Sequence, residues 1–159
     1  MTPLGLDPNW IRLLQQIAQL VQLPDLTPDA MGGCALRFDD GPTVTLQVNP
    51  NDGEEVWLMA DLGIPPPSIE LYEHLLRANL LWRTTFGATL SLADGPEGSK
   101  HVIVARSLRW RAMDITQMVA CLETFVDTAQ DWSDLLAEPQ EESYGTEVVH
   151  EAAESSSRL

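Results

Sequence analysis

Apolar residues first recur at helical spacing. Trp10, Leu13, Leu14, Ile17, Leu20 and Val21 make one stripe at i, i+3, i+4 and i+7. Asp7 is a good N-cap, Pro8 fits the first helical position and Pro24 ends the run. The pattern predicts a helix from Pro8 to about Leu23. The period then changes to two. Cys34, Leu36 and Phe38 alternate with Ala35, Arg37 and Asp39, and Val44, Leu46 and Val48 with Thr45 and Gln47; Val56, Leu58, Ala60 and Leu62 form a third such run. Asp40-Gly41-Pro42 and Asn49-Pro50-Asn51-Asp52-Gly53 are turn sequences between them. Three strands joined by short turns predict an antiparallel meander, with Leu36, Phe38, Leu46 and Leu58 on its packed face. The third strand also carries Trp57 and Met59 on the opposite face, so it is apolar on both sides.

Gly63-Ile64-Pro65-Pro66-Pro67 is a stiff linker into a second helical pattern, N-capped by Ser68 with Glu70 and Glu73 near its start. Its apolar residues fall on two faces: Ile69, Tyr72, Leu76 and Leu80 on one, Leu71, Leu75 and Trp82 on the other. A helix of this kind needs cover on both sides. The chain's own sheet supplies one cover, and a second copy of the protein is the expected other. Asn79 interrupts the run and needs a hydrogen-bonding partner. Beyond Phe86-Gly87 the period returns to two. Ala88, Leu90 and Leu92 mark a fourth strand, and His101–Ser107 a fifth, with Val102 and Val104 on one face and Ile103 and Ala105 on the other. Asp114 caps a long amphipathic pattern through Ile115, Met118, Val119, Leu122, Phe125, Val126 and Ala129, continuing to Ala137. Helix, three-stranded meander, helix, two strands and helix define an α+β domain with a mainly antiparallel twisted sheet packed by helices.

The domain is expected over residues 1–137. Residues 138–159 carry six glutamates against Arg158 and lack helical periodicity, which predicts a disordered acidic tail. Net charge is −15, and residues 1–137 alone hold 18 acidic and eight basic side chains, a net of −10. Such a surface repels nucleic-acid phosphates and anionic membranes, so neither is expected as a partner. No apolar run approaches the roughly 18 residues a membrane-spanning helix needs, and no secretory signal pattern opens the chain.

No catalytic constellation is present, and no enzyme activity, cofactor or metal is expected. The three histidines, His74, His101 and His150, stand in different elements. Cys34 and Cys121 have neither metal-ligand spacing nor a CxxC motif, and read as buried free thiols. His74 with either cysteine forms a nucleophilic pair only if the fold joins them. Asp39-Asp40 and Asn51-Asp52-Gly53 lack the spacing of a calcium loop. Arg106, Arg109 and Arg111 are the one basic cluster, expected to salt-bridge to acidic groups.

Several segments, in this order, resemble a known family. They are the first-helix stripe ending in Leu23-Pro24; Gly33-Cys34-Ala35-Leu36-Arg37-Phe38-Asp39-Asp40; Trp57-Leu58-Met59-Ala60-Asp61-Leu62-Gly63 before prolines; Leu75-Leu76-Arg77-Ala78-Asn79; and Phe86-Gly87-Ala88-Thr89-Leu90-Ser91-Leu92. The chain is similar over residues 8–137 to the class I chaperones of bacterial type III secretion, the CesT-like (Tir chaperone) family. It departs at Ala18-Gln19, where that family has Leu-Gly. The resemblance implies a cytoplasmic bacterial homodimer without catalytic activity. Such a protein binds the N-terminal segment of secreted effectors, holds it extended and secretion-competent, and delivers it to the secretion ATPase. Cargo contacts are expected at Trp57, Met59, Ile103 and Trp10. The dimer interface is expected at Leu71, Leu75, Leu76, Asn79, Trp82 and Leu90. Two other readings stay open: a regulatory protein sequestering a transcriptional activator or anti-activator, and a small enzyme or ligand-binding domain.

Overall fold

The computed structural model describes residues 5–138. Helix α1 runs Pro8–Leu20, with the Asp7 carboxylate accepting from the Asn9 N–H. It ends before Leu23 because Gln22 turns into the left-handed region. Strands β1 (Cys34–Leu36), β2 (Val44–Asn49) and β3 (Asp52–Asp61) follow, then α2 (Ile69–Ala78), β4 (Thr89–Asp94), β5 (Lys100–Arg109) and α3 (Ile115–Ala137). The strands form one antiparallel sheet in the order β1-β2-β3-β5-β4. The β1-β2-β3 meander is thus extended by a β4-β5 hairpin whose second strand pairs with β3.

Side-chain parity decides the layers. Leu36, Val44, Leu46, Val56, Leu58, Ala60, Leu90, Val102 and Val104 are buried in one cluster with Trp10, Leu14 and Ile17 of α1, Leu71 and Leu75 of α2, and Met118, Leu122 and Phe125 of α3. All three helices therefore serve the same core, against one face of the sheet. Phe38 lies outside β1 and is only half-buried. The α3 cap is the two-way exchange its sequence allows: Asp114 Oδ1 accepts from the Gln117 N–H, and Gln117 Oε1 from the Asp114 N–H.

Helix α2 stops at Ala78, short of the Leu80 and Trp82 its pattern includes. Asn79 explains the stop. Its amide donates to the Leu90 carbonyl and accepts from the Leu90 N–H, both at 2.8 Å. One side chain thereby imitates a neighbouring strand and covers part of the β4 edge. Replacing Asn79 with alanine leaves both Leu90 backbone groups unpaired, and should lower unfolding free energy by about 1–3 kcal/mol in urea denaturation.

The expectation of a disordered segment over 138–159 falls, beyond Glu138, outside the described residues.

Candidate binding surfaces

Among the described residues, two apolar surfaces face outward. The first lies on the sheet face away from the helices. Here Thr45 pairs with Met59 and Met59 with Ala105, while Gln47 pairs with Trp57 and Trp57 with Ser107. Ile103 sits between Asp61 and Ser91, one row from Met59. Residues on diagonal positions of neighbouring strands stay within reach of long side chains. Trp57, Met59 and Ile103 thus make one half-buried band across β3 and β5, beside the small side chains of Thr45 and Ala105. The Trp57 ring is oriented by its N–H, which donates to Glu55 Oε2 at 3.2 Å. Hydrogen bonds from Ser107, then Asn49, then Trp57 hold the Glu55 carboxyl below its usual range. Glu55 therefore stays charged beside the band and gives it an acidic rim.

The second surface is built by α2, the turn after it and β4. Ile69, Leu76, Leu80, Leu81, Trp82, Phe86 and Leu92 are all exposed, Leu76 to 72% and Leu81 to 64%. The backbone there is unusual. Leu81, Trp82 and Phe86 have φ of 57°, 49° and 50°. Non-glycine residues avoid this region, and each such placement costs on the order of 1–3 kcal/mol unless its surroundings enforce it. Hydrogen bonds brace the turn: Trp82 Nε1 donates to Thr89 Oγ1 at 3.0 Å, and the Ala88 N–H to the Thr85 carbonyl at 3.0 Å. At Gly87, with φ +87°, a side chain would also meet the Arg106 guanidinium, since an added Cβ would lie 3.2 Å from Arg106 Nε. The chain thus holds strained, bulky apolar residues toward solvent.

Several expected site residues lie elsewhere. Trp10 is 1% exposed, donates to the Gly32 carbonyl at 2.9 Å and packs edge-on against Trp110. It belongs to the core and presents no surface to a cargo. Leu71, Leu75 and Leu90 are buried within the single chain, so they present no surface to a second copy. The Asn79 side chain is consumed by Leu90. Of the expected interface set, Leu76 and Trp82 reach the surface. Ile69, Leu80, Leu81, Phe86 and Leu92 join them there; their apolar character was visible in the sequence, but their facing was not. A groove of about 290 Å³ also lies between the end of α1 and α3, lined by Val21, Phe38, Leu122 and Val126 and rimmed by Glu123 and Asp127.

The reactive-pair reading finds no support in the chemistry of Cys34. Its thiol is buried and its pKa raised, first by desolvation and then by the charge of Asp29, opposite to the shift of an activated nucleophile. His74 packs against the Trp132 ring at 5.3 Å. In the basic cluster, Arg109 pairs with Asp52 and Glu54 and Arg111 with Asp7, whereas Arg106 makes no ion pair among the described residues. No helix among the described residues is long and apolar enough to cross a membrane.

The family model of the Tir chaperone protein (CesT) family matches residues 12–133. The chain belongs to the CesT family. Its fold recurs in solved structures. A chain of the ExsC–ExsE complex is 25% identical to this CesT-family domain with a TM-score of 0.66, covering 80% of this chain and 93% of that one. The type III secretion chaperone SycH of Yersinia pestis, in complex with a stable fragment of YscM2, gives 21% identity, a TM-score of 0.59 and coverage of 80% and 99%. The HopA1–SchA chaperone–effector complex gives 18%, 0.61, and 85% and 100%. No curated protein matches this CesT-family chain by sequence. The match region spans α1 through α3, so both apolar surfaces lie on the family's own fold.

Proposed function

We propose that this chain is a cytoplasmic chaperone of bacterial type III secretion. It works as a homodimer, binds the N-terminal segment of one or more effectors, and passes the loaded segment to the secretion ATPase. It performs no catalysis. The observation that carries this reading is an acidic CesT-family domain that leaves two separate apolar surfaces open. A monomeric soluble protein rarely leaves contiguous apolar surface unused. The α2–β4 surface suits a second copy: it is strongly apolar, and a two-fold axis lets the same patch serve both partners. The band of Trp57, Met59 and Ile103 suits an extended segment, which places short apolar anchors on the sheet and in the Phe38 groove. The acidic rim keeps the unloaded surface in solution and favours cargo with basic residues beside its anchors.

Binding of this kind rests on a few anchors. Trp57→Ala or Met59→Asp should weaken an effector N-terminal fragment by about 1–3 kcal/mol in calorimetric titration, with circular dichroism and dimer mass unchanged. Unchanged affinity in both variants moves the cargo site off this face. Preferential binding of a transcriptional regulator would replace the chaperone reading with the regulatory one.

A further inference from the structure

Arg106 is a cation without a counter-ion. It stands on β5 opposite Leu58, on the side of the strand that Val104 and Leu108 bury. It is only half-buried itself, and it makes no ion pair among the described residues. Strand β4 begins at Thr89, opposite Ala105, so beside Arg106 the turn into β4 takes the place of a paired strand. Gly87 of that turn leaves room for the guanidinium: an added Cβ would lie 3.2 Å from Nε and 3.4 Å from Cζ. Phe86, the next residue back, is 60% exposed. Arg106 therefore borders the α2–β4 surface, against the strained turn that presents Leu81, Trp82 and Phe86.

Glu73 is the opposite charge on the same surface. On α2 it follows Ile69 by four residues and precedes Leu76 by three, so the three side chains share one helix face. Ile69 and Leu76 are the exposed apolar residues of that face, and Glu73 puts a carboxylate between them. Within the single chain it pairs with Arg77 one turn on, at 3.4 Å, with both side chains more than half exposed. Pairs of this kind contribute little. The other carboxylates nearby are held elsewhere, Glu70 by the Ser68 hydroxyl and Asp94 by Lys100. We infer that Glu73 of each copy pairs with Arg106 of the other in the dimer proposed above, an inference that rests on that dimer reading. A two-fold interface makes the contact reciprocal, so one pairing becomes two. Covering this surface with both groups unpaired would strip water from a carboxylate and a guanidinium, which is strongly unfavourable. Pairing them offsets that penalty, and a planar guanidinium takes a carboxylate through two parallel hydrogen bonds. The apolar side chains supply attraction, and the two ion pairs fix the register and disfavour a chain that lacks either charge.

Charge reversal in two separate chains tests this. In a dimer of Arg106→Glu chains both contacts join two carboxylates, and in a dimer of Glu73→Arg chains both join two guanidiniums. In the mixed dimer one contact is native and the other is native with its charges exchanged, so both attract. The variants are purified separately, one of them ¹⁵N-labelled, then mixed in equal amounts and weighed by native mass spectrometry. The mixed species should make up about nine-tenths of the dimers, against about half for random pairing. Arg12→Glu in place of Arg106→Glu, a reversal on α1 outside this surface, should give the random share. If circular dichroism shows that Arg106→Glu unfolds the chain, Arg106→Gln replaces it, and the mixed dimer should again exceed the random share because one native pair survives in it. A dimeric wild type whose variants pair at random, form no mixed dimer, or pair as selectively with Arg12→Glu overturns the ion pair and leaves the dimer reading standing. A monomeric wild type overturns both.

Discussion

Leu76→Asp should convert the protein from dimer to monomer at micromolar concentration, and Trp82→Asp should do the same. Leu76 is 72% exposed and Trp82 52% in the single chain, so neither change disturbs the protomer core. In a two-fold interface each substitution enters twice. Losing the burial of one leucine contributes roughly 1.5–3 kcal/mol, so the pair costs about 3–6 kcal/mol, before the penalty of burying two carboxylates. That weakens dimerisation by about two to four orders of magnitude. Light scattering after size exclusion gives the mass, and circular dichroism should show an unchanged protomer. Leu75→Asp is the wrong probe, since Leu75 is buried in its own protomer and its loss unfolds the chain whether or not it dimerises. A wild type that is monomeric at micromolar concentration contradicts this reading of the α2–β4 surface.

Trp10→Ala should have the largest effect on stability. The ring fills the core between α1 and Trp110, and its N–H satisfies the Gly32 carbonyl. Truncating a buried tryptophan costs about 3–5 kcal/mol, a large share of the roughly 5–15 kcal/mol that holds a domain together. Thermal denaturation should show a steep loss of melting temperature, or no cooperative transition. Trp57→Ala, on the open face, should leave the melting temperature nearly unchanged while weakening cargo. A stable Trp10→Ala variant with impaired binding would return Trp10 to the surface.

That contrast shows what the sequence made legible. The α1 stripe, the alternation of Val44, Leu46, Val56, Leu58, Val102 and Val104, and the caps at Asp7, Ser68 and Asp114 rest on local periodicity and local hydrogen bonding, and each appears in the fold. The outward facing of Trp57, Met59 and Ile103 was readable for the same reason: they lie one residue out of step with the core set. Trp10 was also on the α1 stripe, which argued for the core, and the fold follows that stripe rather than the cargo expectation. The two faces of α2 could be seen but not ranked. Whether Leu71 and Leu75 or Ile69 and Leu76 turn inward depends on how the helix is laid against β4, and the Asn79–Leu90 clamp sets that. The turn at Leu81–Phe86 was illegible because no glycine or asparagine marks its first left-handed residues. The facing of Trp82 therefore could not be read from a helical period that stops at Ala78.

The central claim is that two copies of this chain hold one effector N-terminal segment. Native mass spectrometry of the full chain, co-expressed with the N-terminal segment of a type III effector that it retains in a pull-down, measures this directly. The predicted species contains two chains and one segment, and Met59→Asp should shift it toward the empty dimer. A chain that stays monomeric, or a dimer that never retains the segment, would contradict the account.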